Sequence, residues 1–170
     1  MSHEFDYGKA ASFWDEKDAS ASHLPEDQLK DRIDGFIGRH NTAAFACGAG
    51  DYVRCTPMEY NYVDGHFYFF SEGGHKYRAL KENANVSLAI FDEYVPGGAL
   101  HGAQVTGTAV MIEPWSDEYT RLVEYKHIPV EAMKKMDPPM PLIRVDVTGI
   151  DYLDSSLKAE GYSSRQTLAR

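Results

Sequence analysis

The alternation of apolar and polar positions changes period along this chain. Residues 24–40, LPEDQLKDRIDGFIGRH, place Leu29, Ile33, Phe36 and Ile37 at helical spacing, with Pro25 suited to a first turn and acidic residues after it. From Thr42 the period shortens to two. TAAFACG, the turn GAGD, YVRCTPMEYNYV, the dipeptide Asp64-Gly65 and HFYFFSE predict three strands in hairpin succession. Pro57 falls inside the second of these and has no amide to donate to a ladder, which predicts a strand edge or a bulge there.

Further on, HKYRALKEN predicts a helix of two turns and NVSLAIFDE a buried strand. LHGAQVTGTAVMIE predicts another strand, with Val105, Gly107, Ala109 and Met111 on one face and Gln104, Thr106 and Thr108 on the other. A helix through Tyr119, Leu122 and Val123, a connection rich in Pro and Met, and a strand LIRVDVTGIDYL follow. In that strand Ile143, Val145 and Val147 alternate with Arg144, Asp146 and Thr148. Residues 1–24, with Phe5, Tyr7, Phe13 and Trp14 among polar neighbours, read as an arm that packs onto something, and residues 154–170 as a C-terminal tail. The expected fold class is mainly β, a β-barrel of about six mostly antiparallel strands with peripheral helices, in one domain spanning 1–170.

Composition narrows the partners. A chain of 170 residues buries a sizeable core without disulfides or metals, and a formal charge of −9 argues against a nucleic-acid groove or an anionic membrane surface. The apolar runs are too short to span a bilayer and MSHEFDYGKAASFWDEKD lacks the apolar centre of a signal peptide, so a cytoplasmic location is expected. Cys47 and Cys55 form no CxxC pair, and the seven histidines show no HExxH spacing, so no metal site is expected. No GxSxG elbow supports a serine hydrolase.

Any bound anion must therefore meet a local basic patch, and SEGGHKYR offers one. Gly73 and Gly74 free the backbone for close approach, the helix that follows offers amide donors, and Lys76 and Arg78 add charge. The plainer reading is a flexible turn before a solvated basic helix. Arg54, on a strand next to the irregularity expected at Pro57, adds a guanidinium able to grip a phosphate through two hydrogen bonds.

The succession RCTPMEYNYVDGHFYFFSEGGHK, the helix ending in Asn83, NVSLAIFD and GAQVTGTAVMIEP resembles the pyridoxamine 5'-phosphate oxidase-like superfamily of FMN-binding split barrels over residues 27–153. The GHK form is similar to its nitroimidazole-reductase branch. The resemblance implies a homodimer with FMN at the subunit interface. It places Arg54, Cys55, Thr56 and Pro57 along the flavin ring edge and phosphate, and Phe69, Phe70 and Ser71 on the next strand. Gly74, His75 and Lys76 would hold the phosphate, and Gln104 would reach the flavin. The chain departs from the oxidase in having His75-Lys76 for Arg-Lys, and in lacking the tryptophan and Arg-x-His of its C-terminal segment, which argues against pyridoxal phosphate synthesis.

The function implied is an FMN-dependent oxidoreductase that passes electrons from NADH or NADPH to a small electrophilic acceptor. No catalytic acid or base stands out, in keeping with chemistry carried by a cofactor. The alternative is a carrier or sensor of flavin, deazaflavin or heme on the same scaffold, with heme disfavoured because no histidine follows His127.

Overall fold

The computed structural model describes residues 5–170. The chain runs through α1 (Tyr7–Asp18), α2 (Glu26–Gly38), β1 (Thr42–Ala49), β2 (Tyr52–Glu59), β3 (Asn61–Val63), β4 (His66–Phe70), α3 (Lys76–Leu80) and β5 (Asn85–Phe91). It continues through β6 (His101–Ile112), α4 (Asp117–Tyr125), α5 (Val130–Met133), β7 (Leu142–Asp154), a 3-10 turn (Ser155–Glu160) and β8 (Arg165–Ala169). The strands form one eight-stranded sheet in the order β2-β1-β5-β6-β7-β4-β3, with β8 added beside β7. Every pairing is antiparallel. The architecture is mainly β, a curled half-barrel with peripheral helices.

The curl follows from one residue. The stretch 52–63 is not the single strand that its alternation predicts but two, β2 and β3, which lie at opposite edges of the sheet order. Tyr60 separates them. Its amide donates to Asn41 at 2.8 Å and its buried hydroxyl to the Ile37 carbonyl at 2.7 Å. Two edges joined by one residue must lie side by side, so the sheet rolls until they meet. Pro57 sits on β2, an edge strand of this order, where its missing amide costs no interior ladder bond.

Two apolar clusters occupy the two faces. The interior holds Phe36, Phe45, Phe67, Phe69, Leu88 and Val105, all without exposed surface. The second cluster lies behind β4, β6 and β7, where Tyr68, Ile112 and Leu142 meet Tyr119, Leu122 and Val123 of α4. α2 closes the interior with Leu29, Ile33, Phe36 and Ile37, the apolar set that its spacing predicts. Each such burial stabilises by roughly 1.5–3 kcal/mol. Ser116 caps α4 by accepting from the Tyr119 amide at 3.3 Å, and Asp64-Gly65, with φ of 52° and 80°, turns β3 into β4.

Several elements differ from the sequence expectation. β5 is half-buried, since Val86, Leu88 and Ile90 face the core while Asn85, Ser87 and Phe91 are exposed. On β6 the inward face ends at Ala109, and Met111 is half exposed at the strand's end while Val110 and Ile112 pack toward α4. On β7, Val147 pairs with Gly107 and Gly149 with Thr106, which leaves Thr148 as an extra residue. That bulge resets the parity, so Ile150 and Tyr152 face inward as Val145 does. The segment read as a tail contributes β8, and the arm contains α1, capped by Asp6 through the Lys9 amide at 2.9 Å. Of the arm residues, 1–4 lie outside the described part. No helix of the described residues is long and apolar enough to cross a membrane.

Candidate functional site

The turn after β4 is built from its own backbone. The Ser71 amide donates to Pro141 at 3.0 Å, its hydroxyl donates to the Gly73 carbonyl at 3.2 Å, and the same oxygen lies 3.3 Å from the Gly73 amide. Gly73 and Gly74 have φ of 117° and 106°, where L side chains are strained, so the chain needs glycine at both. The Tyr52 hydroxyl donates to the His75 carbonyl at 3.2 Å and the Asn83 amide to Gly48 at 2.7 Å, which ties the turn and α3 to the β1–β2 hairpin.

Lys76 opens α3 but is buried, and its ammonium turns back to donate to the Gly73 carbonyl at 2.5 Å. Burial pushes its pKa below the ordinary lysine value. Cys47 opposes that shift and Arg54 adds to it. Cys47 lies directly across the ladder from Arg54, so their side chains share a face, and its thiol approaches the Lys76 carbonyl at 3.7 Å. Among the described residues neither Lys76 nor Arg54 has a carboxylate within ion-pair distance. A buried ammonium beside a guanidinium, with no counter-charge, is an incomplete electrostatic arrangement that an anion completes.

α3 is only five residues long, so its first turn offers less than the two-turn helix expected, and the positive charge rests on the side chains. The Tyr77 hydroxyl adds a further observation. It lies near Ser71 but outside hydrogen-bonding geometry, and is buried without a partner. The turn therefore fits the phosphate end of a cofactor: a buried cation, an exposed arginine, glycine backbone and an unspent hydroxyl converge on it.

Of the residues expected at the site, Arg54, Ser71, Gly74, His75 and Lys76 come together, and Thr56 shares Arg54's inward face of β2. Cys55 and Pro57 point to the opposite face. Phe69 lies in the interior cluster against Phe45 and Phe70 against Tyr119 of the second cluster, so their side chains are committed to the cores. Gln104 is exposed on the outer face. Its register through Ala89 and Ala44 reaches Pro57, not Arg54. One copy of the chain thus does not bring Gln104 to the Lys76 turn.

Sequence reasoning missed a polar chain at the other end of the sheet. His40 Nε2 and His101 Nδ1 each lie 2.8 Å from an Asp92 oxygen, and His101 Nε2 lies 3.2 Å from Asp154. The hydrogen bond from His101, with a second from His40, holds the Asp92 carboxyl below its usual range. His40 and Asp92 are 52 residues apart, and no local spacing signals their meeting. No cluster of three or more His, Cys, Asp or Glu able to hold a metal occurs among the described residues.

The family model for pyridoxamine 5'-phosphate oxidase matches residues 29–154, from α2 to the end of β7. The chain belongs to this pyridoxamine 5'-phosphate oxidase family. No curated protein matches it. Among solved structures, an FAD-binding protein from Mesorhizobium loti is similar at 20% identity, covering 76% of this chain and 93% of its own with a TM-score of 0.56. The heme storage protein HutZ from Vibrio cholerae is similar at 14% identity, covering 70% of this chain and 89% of its own with a TM-score of 0.56. ChuZ from Campylobacter jejuni aligns at 12% identity with 98% of this chain and 70% of its own, at a TM-score of 0.63. At these identities the likeness within the oxidase family is one of fold.

Proposed function

We propose that the protein is an FMN-dependent oxidoreductase that takes electrons from NADH or NADPH and delivers them to a small electrophilic acceptor. The observation that carries this reading is the buried Lys76 ammonium, which lacks a counter-anion and stands beside Arg54 at a glycine turn. A phosphate monoester supplies the missing charge. When bound, the flavin supplies the two-electron chemistry. The protein's own residues would bind and orient it: Lys76, Arg54 and His75 would hold the phosphate, and Ser71 and the Thr56 region would position the flavin.

Gln104 supports a homodimer within this reading. It faces away from the Lys76 turn of its own chain, so a flavin touched by both needs a second copy to present it. A second reading, a flavin, deazaflavin or heme carrier, is supported by the fold shared with a heme storage protein.

The test is a visible absorption spectrum of the purified protein followed by heat release and identification of the chromophore. A two-banded yellow spectrum that yields FMN, bleached by NADH or NADPH and restored by an acceptor such as a quinone, is the expected result. A Soret band favours the heme carrier. A flavin that neither nicotinamide reduces favours the flavin carrier, and a colourless protein that refuses added FMN overturns the oxidoreductase and the FMN carrier alike.

A further inference from the structure

The side chains around the Gly73 turn are rich in donors and short of acceptors. Ser71, only 5% exposed, donates its hydroxyl hydrogen to the Gly73 carbonyl at 3.2 Å, and the Lys76 ammonium donates to the same oxygen. The Ser71 contacts, including 3.3 Å from the Gly73 amide, are long for hydrogen bonds, so this hydroxyl is only loosely spent. Tyr77 touches both side chains. Its ring lies with the centroid 5.1 Å from the Lys76 ammonium and packs on the interior cluster. Its hydroxyl is buried close to Ser71 and has no partner among the described residues. Burial raises its pKa, so at neutral pH that hydroxyl keeps its proton and is one more unused donor.

Core packing does not account for this hydroxyl. A buried hydroxyl without a hydrogen bond costs stability, and phenylalanine would fill the same place against the interior cluster without that cost. A tyrosine here is explained by a state of the turn in which the hydroxyl is bonded. Ser71 Oγ is the acceptor at hand, and it becomes a better one when its own hydrogen is drawn onto the oxygen of an anion. The Lys76 ammonium carries more than one hydrogen, so it can hold the Gly73 carbonyl and the anion together.

We propose that Tyr77 is a positioning residue of the anion site: its hydroxyl donates to Ser71 Oγ, and Ser71 in turn donates to a phosphate oxygen of the bound ligand. The assignment rests on the phosphate reading of the turn and extends it to two side chains that carry no charge. Two hydroxyls in series end in a donor, so they favour an oxygen without a proton, which a phosphate monoester presents at neutral pH. In the empty turn the Gly73 carbonyl stands in for that oxygen.

The test is fluorescence titration of the purified protein, freed of bound cofactor, with FMN and with riboflavin, which lacks the phosphate, alongside urea unfolding of the same samples. Tyr77→Phe keeps the ring and removes only the hydroxyl. It is expected to bind FMN about tenfold more weakly, to bind riboflavin as the parent does, and to unfold at the same or a higher urea concentration. Ser71→Ala is expected to lose FMN affinity by about tenfold or more, and Tyr77→Phe added to it to cost less than about twofold further, because Tyr77 acts through Ser71. A parent that refuses FMN overturns the phosphate reading and the assignment with it. With a parent that binds FMN, full affinity in Tyr77→Phe, an equal loss for riboflavin, a lower urea midpoint, or full additivity of the two changes overturns the assignment alone.

Discussion

The Lys76 ammonium donates to the Gly73 carbonyl at 2.5 Å while its side chain is buried without a carboxylate. A buried charge that lacks a counter-charge costs the empty protein stability. Lys76→Met keeps the length of the side chain and removes the charge. The variant, freed of bound cofactor, is expected to unfold at the same or higher urea concentration than the parent, a gain of about 0–2 kcal/mol. It is expected to lose FMN retention, and Arg54→Ala with Lys76→Ala to lose it completely. A Lys76→Met protein that still purifies with flavin removes Lys76 from the site.

The same burial sets a pH dependence. Lys76 titrates below 10.5 in the folded protein, because burial penalises its charged form. Between that lowered value and 10.5 the unfolded chain binds the extra proton, so this residue makes stability rise with pH in that window. Affinity for a phosphate moves the other way and falls as pH rises through the lowered value. Titrations of FMN or inorganic phosphate from neutral pH up to 10.5 read this, and an affinity that stays constant across that range contradicts it.

Asp154 gives the same sign in the acid range, where its charged form is the favoured one. Its burial alone would raise its pKa, but the Ser156 hydroxyl and amide, with His101 and Tyr152, hold it below 3.8. Its contribution is therefore complete above the unfolded value and is lost as pH falls through the lowered one. Asp154→Asn is expected to cost about 1–3 kcal/mol at pH 7. Urea unfolding at a series of pH values is expected to show the gap between parent and variant closing as the acid limit is approached.

Two glycines separate a steric role from a permissive one. A Cβ at Gly107 would meet the Asp146 carbonyl at 2.6 Å and Val145 at 2.7 Å, next to the register shift between β6 and β7. Gly107→Ala is expected to destabilise by about 1–3 kcal/mol. Gly35 is exposed within α2 and a Cβ there meets nothing within 4 Å, so Gly35→Ala is expected to stabilise by about 0.5–1 kcal/mol. Thermal melts of the two variants, moving in opposite directions, check both.

The helix α2 and the β3–β4 turn were legible in the sequence because their signals are local: four apolar residues on one face, and an Asp-Gly pair between alternating runs. The break at Tyr60 was not legible. Nothing in YVRCTPMEYNYV marks the point where the strand leaves one edge for the other, since that point is fixed by the Ile37 carbonyl and Asn41 amid distant sequence. The bulge at Thr148 was hidden for a similar reason, because the parity of β7 depends on its partner β6. At the candidate site, Lys76 and Arg54 were visible as charges, but their shared face and the burial of Lys76 come from Cys47 and the way α3 sits on β1. β8 was missed because RQTLA is short and pairs only with a strand already complete by its own pattern.

β7 has a divided second edge: residues 142–145 pair with β4, and residues 149–153 with β8. Loss of everything beyond the 3-10 turn would leave the backbone amides and carbonyls of the second half bare along one side, next to the apolar Ile150 and Tyr152. A bare edge of that kind is a template for pairing with another chain. The last strand thus acts as a guard against self-assembly, and proteolytic nicking near Gly161 would turn an intact barrel into a seed for aggregates.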